Sequence, residues 1–445
     1  MKVHAIGGYD EVGRNMTALE LGEDVLLFDC GFYLPAVVGV EEREKILTEK
    51  GMRALGALPN DDYLEKHGLK DKVRALLISH AHLDHIGAIP YIAHKYNAPV
   101  ISTPFTIELI KILMADNNQT IPNKMIKVKL NGVYFVKGKS GDYKIEFINV
   151  PHSTIETTVI AVHTKEGVFL YANEFKMDNT PVFGDKVNYK RLKELSREGI
   201  KIALVDSLYA HENIKAPSEK IAKGLLEDVF YSIGNKNAGI VVSTFSSHIS
   251  RLKTIAELGV KFGREIIFVG RSLNKYVTAA NNVGKAPFIG KVRIVTYRRQ
   301  VENILNQVNR NKRRYLVVCT GHQGETGSIL DRISRNQLPL KLENRDNIIF
   351  SSKTIPTPET ELSKGQLVSR LKKTHARIFD NVHVSGHASR EDMREMIELT
   401  KPEHVMPSNA GFDKTKLGAE LAQEIGYKMN QNIHLLKNGK VLELR

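Results

Sequence analysis

The sequence predicts an α/β protein built from two architectures, a strand-rich sandwich and a parallel α/β domain. Three observations carry this. Val73-Arg74-Ala75-Leu76-Leu77-Ile78-Ser79 is a short apolar run of the kind a buried strand needs. From Val133 to about Asn173, short strand-like segments succeed one another with few helix signals, which suggests sheet packed on sheet with helices outside. After Lys201-Ile202-Ala203-Leu204-Val205-Asp206, helical segments alternate with apolar strands, the pattern of a parallel α/β domain.

Taken in order, Met1-Lys2-Val3-His4-Ala5-Ile6-Gly7-Gly8 reads as a strand entering a glycine turn rather than a signal peptide. A helix is expected over 88–96 and a strand over 99–102. Strands follow over 133–136, 143–150, 158–163 and 168–172. The later block reads helix 218–234, strand 239–244, helix 248–263, strand 265–269, helix 272–284 and strand 315–319. Thr354-Ile355-Pro356-Thr357-Pro358 suggests a crossing linker. A helix over 361–378, a strand over 382–385, and a further helix and strand complete the chain. The expected domains are 1–208, an insertion over 209–353, and a return segment over 354–445.

The chain has 445 residues, too many for one ordinary core, and its 42% hydrophobic and 26% charged content fits a globular protein. No apolar run of about eighteen residues is present, so no membrane partner is expected, and a cytoplasmic location follows as the default. Two cysteines, Cys30 and Cys319, exclude a cysteine-rich zinc site and read as buried thiols. A net charge of +14 favours a polyanionic partner such as nucleic acid, although a generally lysine-rich composition would give the same number.

The strongest chemical signal is Ser79-His80-Ala81-His82-Leu83-Asp84-His85-Ile86-Gly87, where three histidines and an aspartate fall within six residues directly after a strand. Imidazole and carboxylate are good zinc or manganese ligands, and a loop leaving a strand can turn them toward one point. A polar surface loop with several histidines by chance is the plainer alternative, and the ordered spacing argues against it.

On these residues the chain resembles the metallo-β-lactamase superfamily. The resemblance implies an αββα sandwich and two adjacent metals, the first held by His80 and His82, the second by Asp84 and His85. It adds His152, in Val150-Pro151-His152-Ser153-Thr154, to the first site. It sharpens to the RNase J family of compact archaeal type, whose inserted parallel domain is the β-CASP domain. Gly7-Gly8-Tyr9-Asp10-Glu11-Val12-Gly13-Arg14-Asn15, Tyr171-Ala172-Asn173-Glu174-Phe175-Lys176, Leu204-Val205-Asp206-Ser207, Thr320-Gly321-His322-Gln323-Gly324-Glu325 and His383-Val384-Ser385-Gly386-His387-Ala388 carry the likeness in order along the chain.

Two positions depart from the family. Glu174 stands where a bridging aspartate is usual. In Met406-Pro407-Ser408-Asn409-Ala410, Asn409 replaces the last histidine ligand and Ala410 a glycine. An amide oxygen is a poor zinc ligand beside imidazole, so the second metal is expected to bind weakly or not at all.

The resemblance implies a metal-dependent ribonuclease working 5′ to 3′ on single-stranded RNA with a 5′-monophosphate, with endonuclease activity as an addition. Zinc is the implied metal, with manganese as an alternative. Asp84 would share in handling the attacking water, and His387, oriented by Asp206, would serve as acid or phosphate donor. Taken singly, Asp206 reads as a helix cap and His387 as a loop residue. Ser246, Ser247, His248, Arg271, Ser385, His387 and Ser389 are candidate phosphate contacts at strand-to-helix turns, where ordinary N-capping explains each serine about as well. Arg298-Arg299 and Lys312-Arg313-Arg314 could follow an RNA backbone, although a solvated charged face is the simpler reading of each. A homodimer is expected by resemblance. The competing reading, motivated by Glu174 and Asn409, is an RNA-binding paralogue or mutant with a weakened centre. A hydrolase of small esters or lactams is weaker, since basic charge and an inserted domain would be idle in it.

Overall fold

The computed structural model describes residues 1–37, 48–233, 237–355 and 358–444. The chain divides into two compact units, one of residues 1–179, 184–216 and 386–445, the other of residues 180–183 and 217–385.

The first unit holds strands β1 (Lys2–Gly7), β2 (Met16–Leu21), β3 (Asp24–Phe28), β4 (Val73–Leu77), β5 (Val100–Ser102), β6 (Met125–Lys127), β7 (Val133–Val136), β8 (Tyr143–Asn149), β9 (Thr158–Thr164), β10 (Gly167–Ala172) and β11 (Ile200–Asp206). The second holds β12 (Ile240–Ser243), β13 (Glu265–Val269), β14 (Val292–Val295), β15 (Tyr315–Cys319), β16 (Asn347–Phe350) and β17 (Arg377–Phe379). The chain then returns to the first unit with β18 (His404–Ser408) and β19 (Lys440–Glu443).

Two sheets make up the first unit, in the orders β19-β1-β2-β3-β4-β5-β6 and β18-β11-β10-β9-β8-β7. Side chains alternate across a strand with period two, and β9 to β11 use both faces. Ile160, Val162, Phe169, Tyr171, Ile202 and Leu204 join Leu26, Phe28, Ala75 and Leu77 of the other sheet in one core. Their neighbours Val159, Ala161, Leu170, Ala172, Ala203 and Val205 face the helices Tyr189–Glu198, Arg390–Thr400 and Phe412–Glu424 through Leu192, Met393, Met396 and Leu421. Burial on both sides is why these strands read as continuous apolar runs. Phe28 closes the middle, its ring centroid 4.9 Å from those of Phe169 and Tyr171.

Strand direction positions the site. β3 runs parallel to β4, β10 and β18 run parallel to β11, and two antiparallel steps bring β8 into the direction of β10. Within each sheet these strands therefore end on the same rim, and the loops leaving them carry every candidate ligand.

In the second unit all six strands are parallel, in the order β14-β13-β15-β12-β16-β17. Helices Glu219–Ser232, Ile249–Lys261, Arg271–Asn282, Arg298–Arg310 and Pro358–Lys372 accompany them. Four expectations need correction. The helix expected over 361–378 runs Pro358–Lys372 and is followed by β17, while 382–385 is not a strand. The helix expected over 88–96 is a helix Ile89–Ile92 followed by a 3-10 turn Ala93–Lys95. The segment 354–385 packs with the second unit, since β17 pairs with β16, and the return falls at Gly386. Of the proposed linker, Pro356 and Thr357 lie outside the described residues, as does Gly234 at the end of the helix expected over 218–234.

Candidate metal centre

The histidine cluster leaves β4 as a short turn whose helix Leu83–Ile86 places Asp84 and His85 one after the other. Loop 29–32 clamps it: Cys30 N donates to His85 O at 2.7 Å and Phe32 N to Leu83 O at 2.9 Å. Gly31 is obligatory here, because a Cβ would stand 1.5 Å from Asp84 O.

His80 Nε2, His82 Nδ1, His152 Nε2 and a Glu174 oxygen lie within 4.8 Å of one another. The His82 nitrogen stands 3.1 Å from each of the other two. Glu174 Oε2 lies 3.0 Å from His80, 2.9 Å from His152 and 3.6 Å from His82. A tetrahedral ion with bonds of about 2.0–2.1 Å spaces its ligand atoms about 3.3–3.4 Å apart, so this set fits one. Glu174 Oε2 is moreover buried without an aligned hydrogen bond, as an oxygen directed at a cation would be.

The supporting hydrogen bonds set the imidazole tautomers. His152 Nδ1 donates to Gly386 O at 2.7 Å, leaving the Nε2 lone pair for coordination. That approach requires glycine, since a Cβ at Gly386 would meet Ser153 at 2.5 Å. His85 Nδ1 donates to Asp29 Oδ2 at 2.7 Å. Ser79 Oγ gives its hydrogen to Asp29 and stands 2.9 Å from His80 Nδ1, which therefore carries the proton. Tyr171 OH completes the coordination of Asp29 at 2.9 Å. Asp29, fully buried with φ 56°, thus orients two of the histidines. Sequence reasoning missed it, because a lone aspartate after a strand carries no spacing signal; its αL backbone position is legible only in three dimensions.

A second group is formed by Asp84, His85 and Glu174. His85 Nε2 lies 3.1 Å from Glu174 Oε1 and 3.7 Å from Asp84 Oδ2. Asn409 Nδ2 donates to the same Glu174 Oε1 at 2.8 Å. A third grouping, Glu146, His163 and Glu198, is already neutralised: Arg191 Nε and Nη2 each donate at 2.7 Å to Glu146, and Lys144 sits 2.7 Å from it.

Charge follows burial. Desolvation holds His80 well below the usual imidazole range, lowers His152 and pushes His82 down to about 3. All three are thus neutral at pH 7, the state a ligand needs. Burial opposes the charge on His85 as well, but the Glu174, Asp29 and Asp84 carboxylates outweigh it and raise that group. Burial raises Asp84 to about 6. Burial would raise Glu174 too, but His85, His387 and His80 hold it well below the ordinary carboxylate range.

His387 stands beside the centre, its ring 4.9 Å from that of His152, with Nδ1 3.2 Å from Asp206 Oδ2. Burial resists its charge, but Glu174 and Asp206 raise it to about 9. Asp206 is fully buried and its Oδ1 accepts from Leu208 N at 3.0 Å, closing a turn rather than capping a helix, since the next helix begins at Glu219.

The phosphate candidates divide. His387 and Ser389 belong to the first unit; Ser246, Ser247, His248, Arg271 and Ser385 belong to the second. Ser389 is buried and donates to Glu212 at 3.4 Å, while its N–H reaches Asp392. His248 caps the helix Ile249–Lys261 and pairs with Glu219 at 3.4 Å. Arg271 opens the next helix and is exposed, and Ser246 is half-buried. Of the two basic clusters, Arg298 pairs with Glu302 and Arg314 with Glu265 as a solvated charged face does, while Lys312 pairs with Glu343 and with the buried Asp346.

Comparison with known proteins assigns these parts. Residues 9–117 match the metallo-beta-lactamase superfamily. Residues 237–369 match the ribonuclease J beta-CASP domain, and residues 373–433 a Zn-dependent metallo-hydrolase RNA specificity domain. Ribonuclease J of Methanocaldococcus jannaschii is 38% identical, covering 99% of this chain and 98% of that protein. That of Pyrococcus abyssi is 37% identical, over 100% and 97%. A crystal structure from Enterococcus faecalis, of a protein of unknown function, aligns over 100% of this chain and 99% of that one, with TM-score 0.65 and 15% identity, which speaks to the fold alone.

Proposed function

The chain belongs to the ribonuclease J family, metal-dependent ribonucleases of the metallo-β-lactamase and β-CASP type, and from that premise we propose that it removes nucleotides 5′ to 3′ from single-stranded RNA bearing a 5′-monophosphate. The observation that carries the chemistry is the nest of His80, His82, His152 and Glu174 with His387–Asp206 at its edge. His80, His82, His152 and Glu174 hold the ion, zinc or manganese. When bound, it supplies Lewis-acid activation of water and neutralises charge at the scissile phosphate.

The chain's own residues do the rest. Asp84, beside His85 and Glu174 at the edge of the nest, is the carboxylate placed to take a proton from the attacking water. Asp206 holds Nδ1 of His387 and aims the ring for proton donation through Nε2 to the leaving oxygen. Ser246, Ser247, His248, Arg271 and Ser385 of the second unit are assigned to phosphate recognition, and so, separately, is Ser389 of the first; His248 and Ser389 also carry structural hydrogen bonds. The +14 charge supports RNA as the partner. A homodimer belongs to the same reading, to be checked by sedimentation. Among the described residues, no helix is long and apolar enough to cross a membrane.

The test is digestion of single-stranded RNA with a 5′-monophosphate, a 5′-triphosphate or a 5′-hydroxyl, with manganese or zinc. Release of 5′-terminal mononucleotides from the monophosphate alone is expected. Internal cuts only, or indifference to the 5′ end, would reject the directional reading. A second reading, an RNA-binding relative with a weakened centre, is favoured by the Asn409–Glu174 hydrogen bond. Cleavage appearing only after Glu174→Asp with Asn409→His would establish it.

A further inference from the structure

The two halves of the centre are built differently. In the first, buried lone pairs converge without hydrogens between them. In the second, amide N–H groups already occupy the donors. Asn409 Nδ2 donates at 2.8 Å to Glu174 Oε1, the oxygen that faces His85 Nε2 at 3.1 Å and that a second ion would have to share. Turning the amide over would press Asn409 Oδ1 against a carboxylate oxygen, so Glu174 itself sets the orientation. Asn15 sets its amide against His85. Its Nδ2 stands 3.1 Å from His85 Nε2 and 3.2 Å from Asp84 O, and its Oδ1 accepts from Asn173 Nδ2 at 3.0 Å, which fixes its hydrogens toward the imidazole. His85 Nδ1 is spent on Asp29, and its Nε2 is enclosed between Asn15 Nδ2 and Glu174 Oε1.

The second position offers three donors, too few for a zinc ion that takes four ligands: Glu174 Oε1 already accepts the Asn409 amide, and Asn409 presents hydrogens where a fourth ligand would have to present a lone pair. Glu174 and Asn409 depend on each other here. The longer side chain of glutamate carries Oε1 to the amide; an aspartate would draw back and leave Asn409, wholly buried and already with an unpartnered Oδ1, with nothing to bond. Asn409 also sits at φ 59°, with its N–H on Gly8 O at 2.7 Å, so the amide cannot readily swing away.

We propose that this chain binds a single metal ion per polypeptide, at His80, His82, His152 and Glu174, and that Glu174 and Asn409 form a coupled pair that closes the second metal position. The proposal deepens the metal assignment above but needs no RNA to be tested. The chain is stripped with a chelator, reloaded with zinc, gel-filtered, and its zinc counted by mass spectrometry. One ion per chain is expected for the unmodified protein and for Asp84→Asn, none for His80→Ala, and two for Glu174→Asp combined with Asn409→His. Two ions in the unmodified chain, or loss of the single ion on Asp84→Asn, would overturn it. Manganese paramagnetic resonance gives an independent reading on the unmodified protein, where an isolated six-line signal supports the proposal and a spin-coupled pair refutes it. One ion bound without RNA cleavage would count against the ribonuclease reading and leave the stoichiometry standing.

Discussion

Asp29 does more for the centre than its isolated place in the sequence suggests. It accepts from His85, Ser79 and Tyr171, so removing it frees one imidazole and loosens a second. Such outer partners typically set metal affinity by about 10–100-fold. Asp29→Ala should weaken zinc binding by that order, measured by competition with a chelating dye, while circular dichroism stays unchanged. On the proposed reading, His387 serves the chemistry rather than the ion. His387→Ala should lower the rate of RNA cleavage by about 10²–10⁴ with zinc content unaltered; a loss of zinc would instead make it a ligand.

At the scale of elements, the second unit is tied together by a side chain that no motif marks. Arg251 is fully buried on the helix Ile249–Lys261. Its Nε and Nη2 donate to the two oxygens of Glu219 at 2.7 and 2.8 Å, and its Nη1 to Ser351 Oγ at 2.7 Å, so one guanidinium joins two helices to the end of β16. Breaking such a pair on one side strands a buried charge and costs about 3–5 kcal/mol. Arg251→Met should destabilise the protein by that amount in urea unfolding, and Arg251→Met with Glu219→Leu should recover much of it. A double variant no better than the single one would show that geometry, not charge, is what Arg251 provides.

Over the whole molecule, stability should answer to acid. His404 and His434 face each other, Nδ1 to Nε2 at 3.0 Å, and burial lowers both, His434 to about 4. Their folded values lie below the unfolded value of about 6.5, so the folded chain binds fewer protons in that window. The stabilisation is present above about 6.5 and is lost as pH falls toward 4. The melting temperature should therefore drop across that range, and His434→Gln should flatten the slope. The net charge of +14 acts at the same scale: RNA affinity should fall steeply and log-linearly with salt.

The parts of this protein that depend on local spacing can be read along the chain. His80, His82, Asp84 and His85 were legible because one turn after a strand must present them together, and β8 to β11 because burial on both faces demands unbroken apolar runs. The family's motif order supplied His152, Glu174, Asp206 and His387, residues that no local pattern marks. What depends on long separations emerges in the folded chain. The Asp29 contacts, the Arg251–Glu219 pair, the pairing of β17 with β16, and the meeting of Asn409 with Glu174 across 235 positions all lie in this class. Hydrogen bonds and buried charges are satisfied by whichever groups the fold brings within about 3 Å, and periodicity carries no record of that partner.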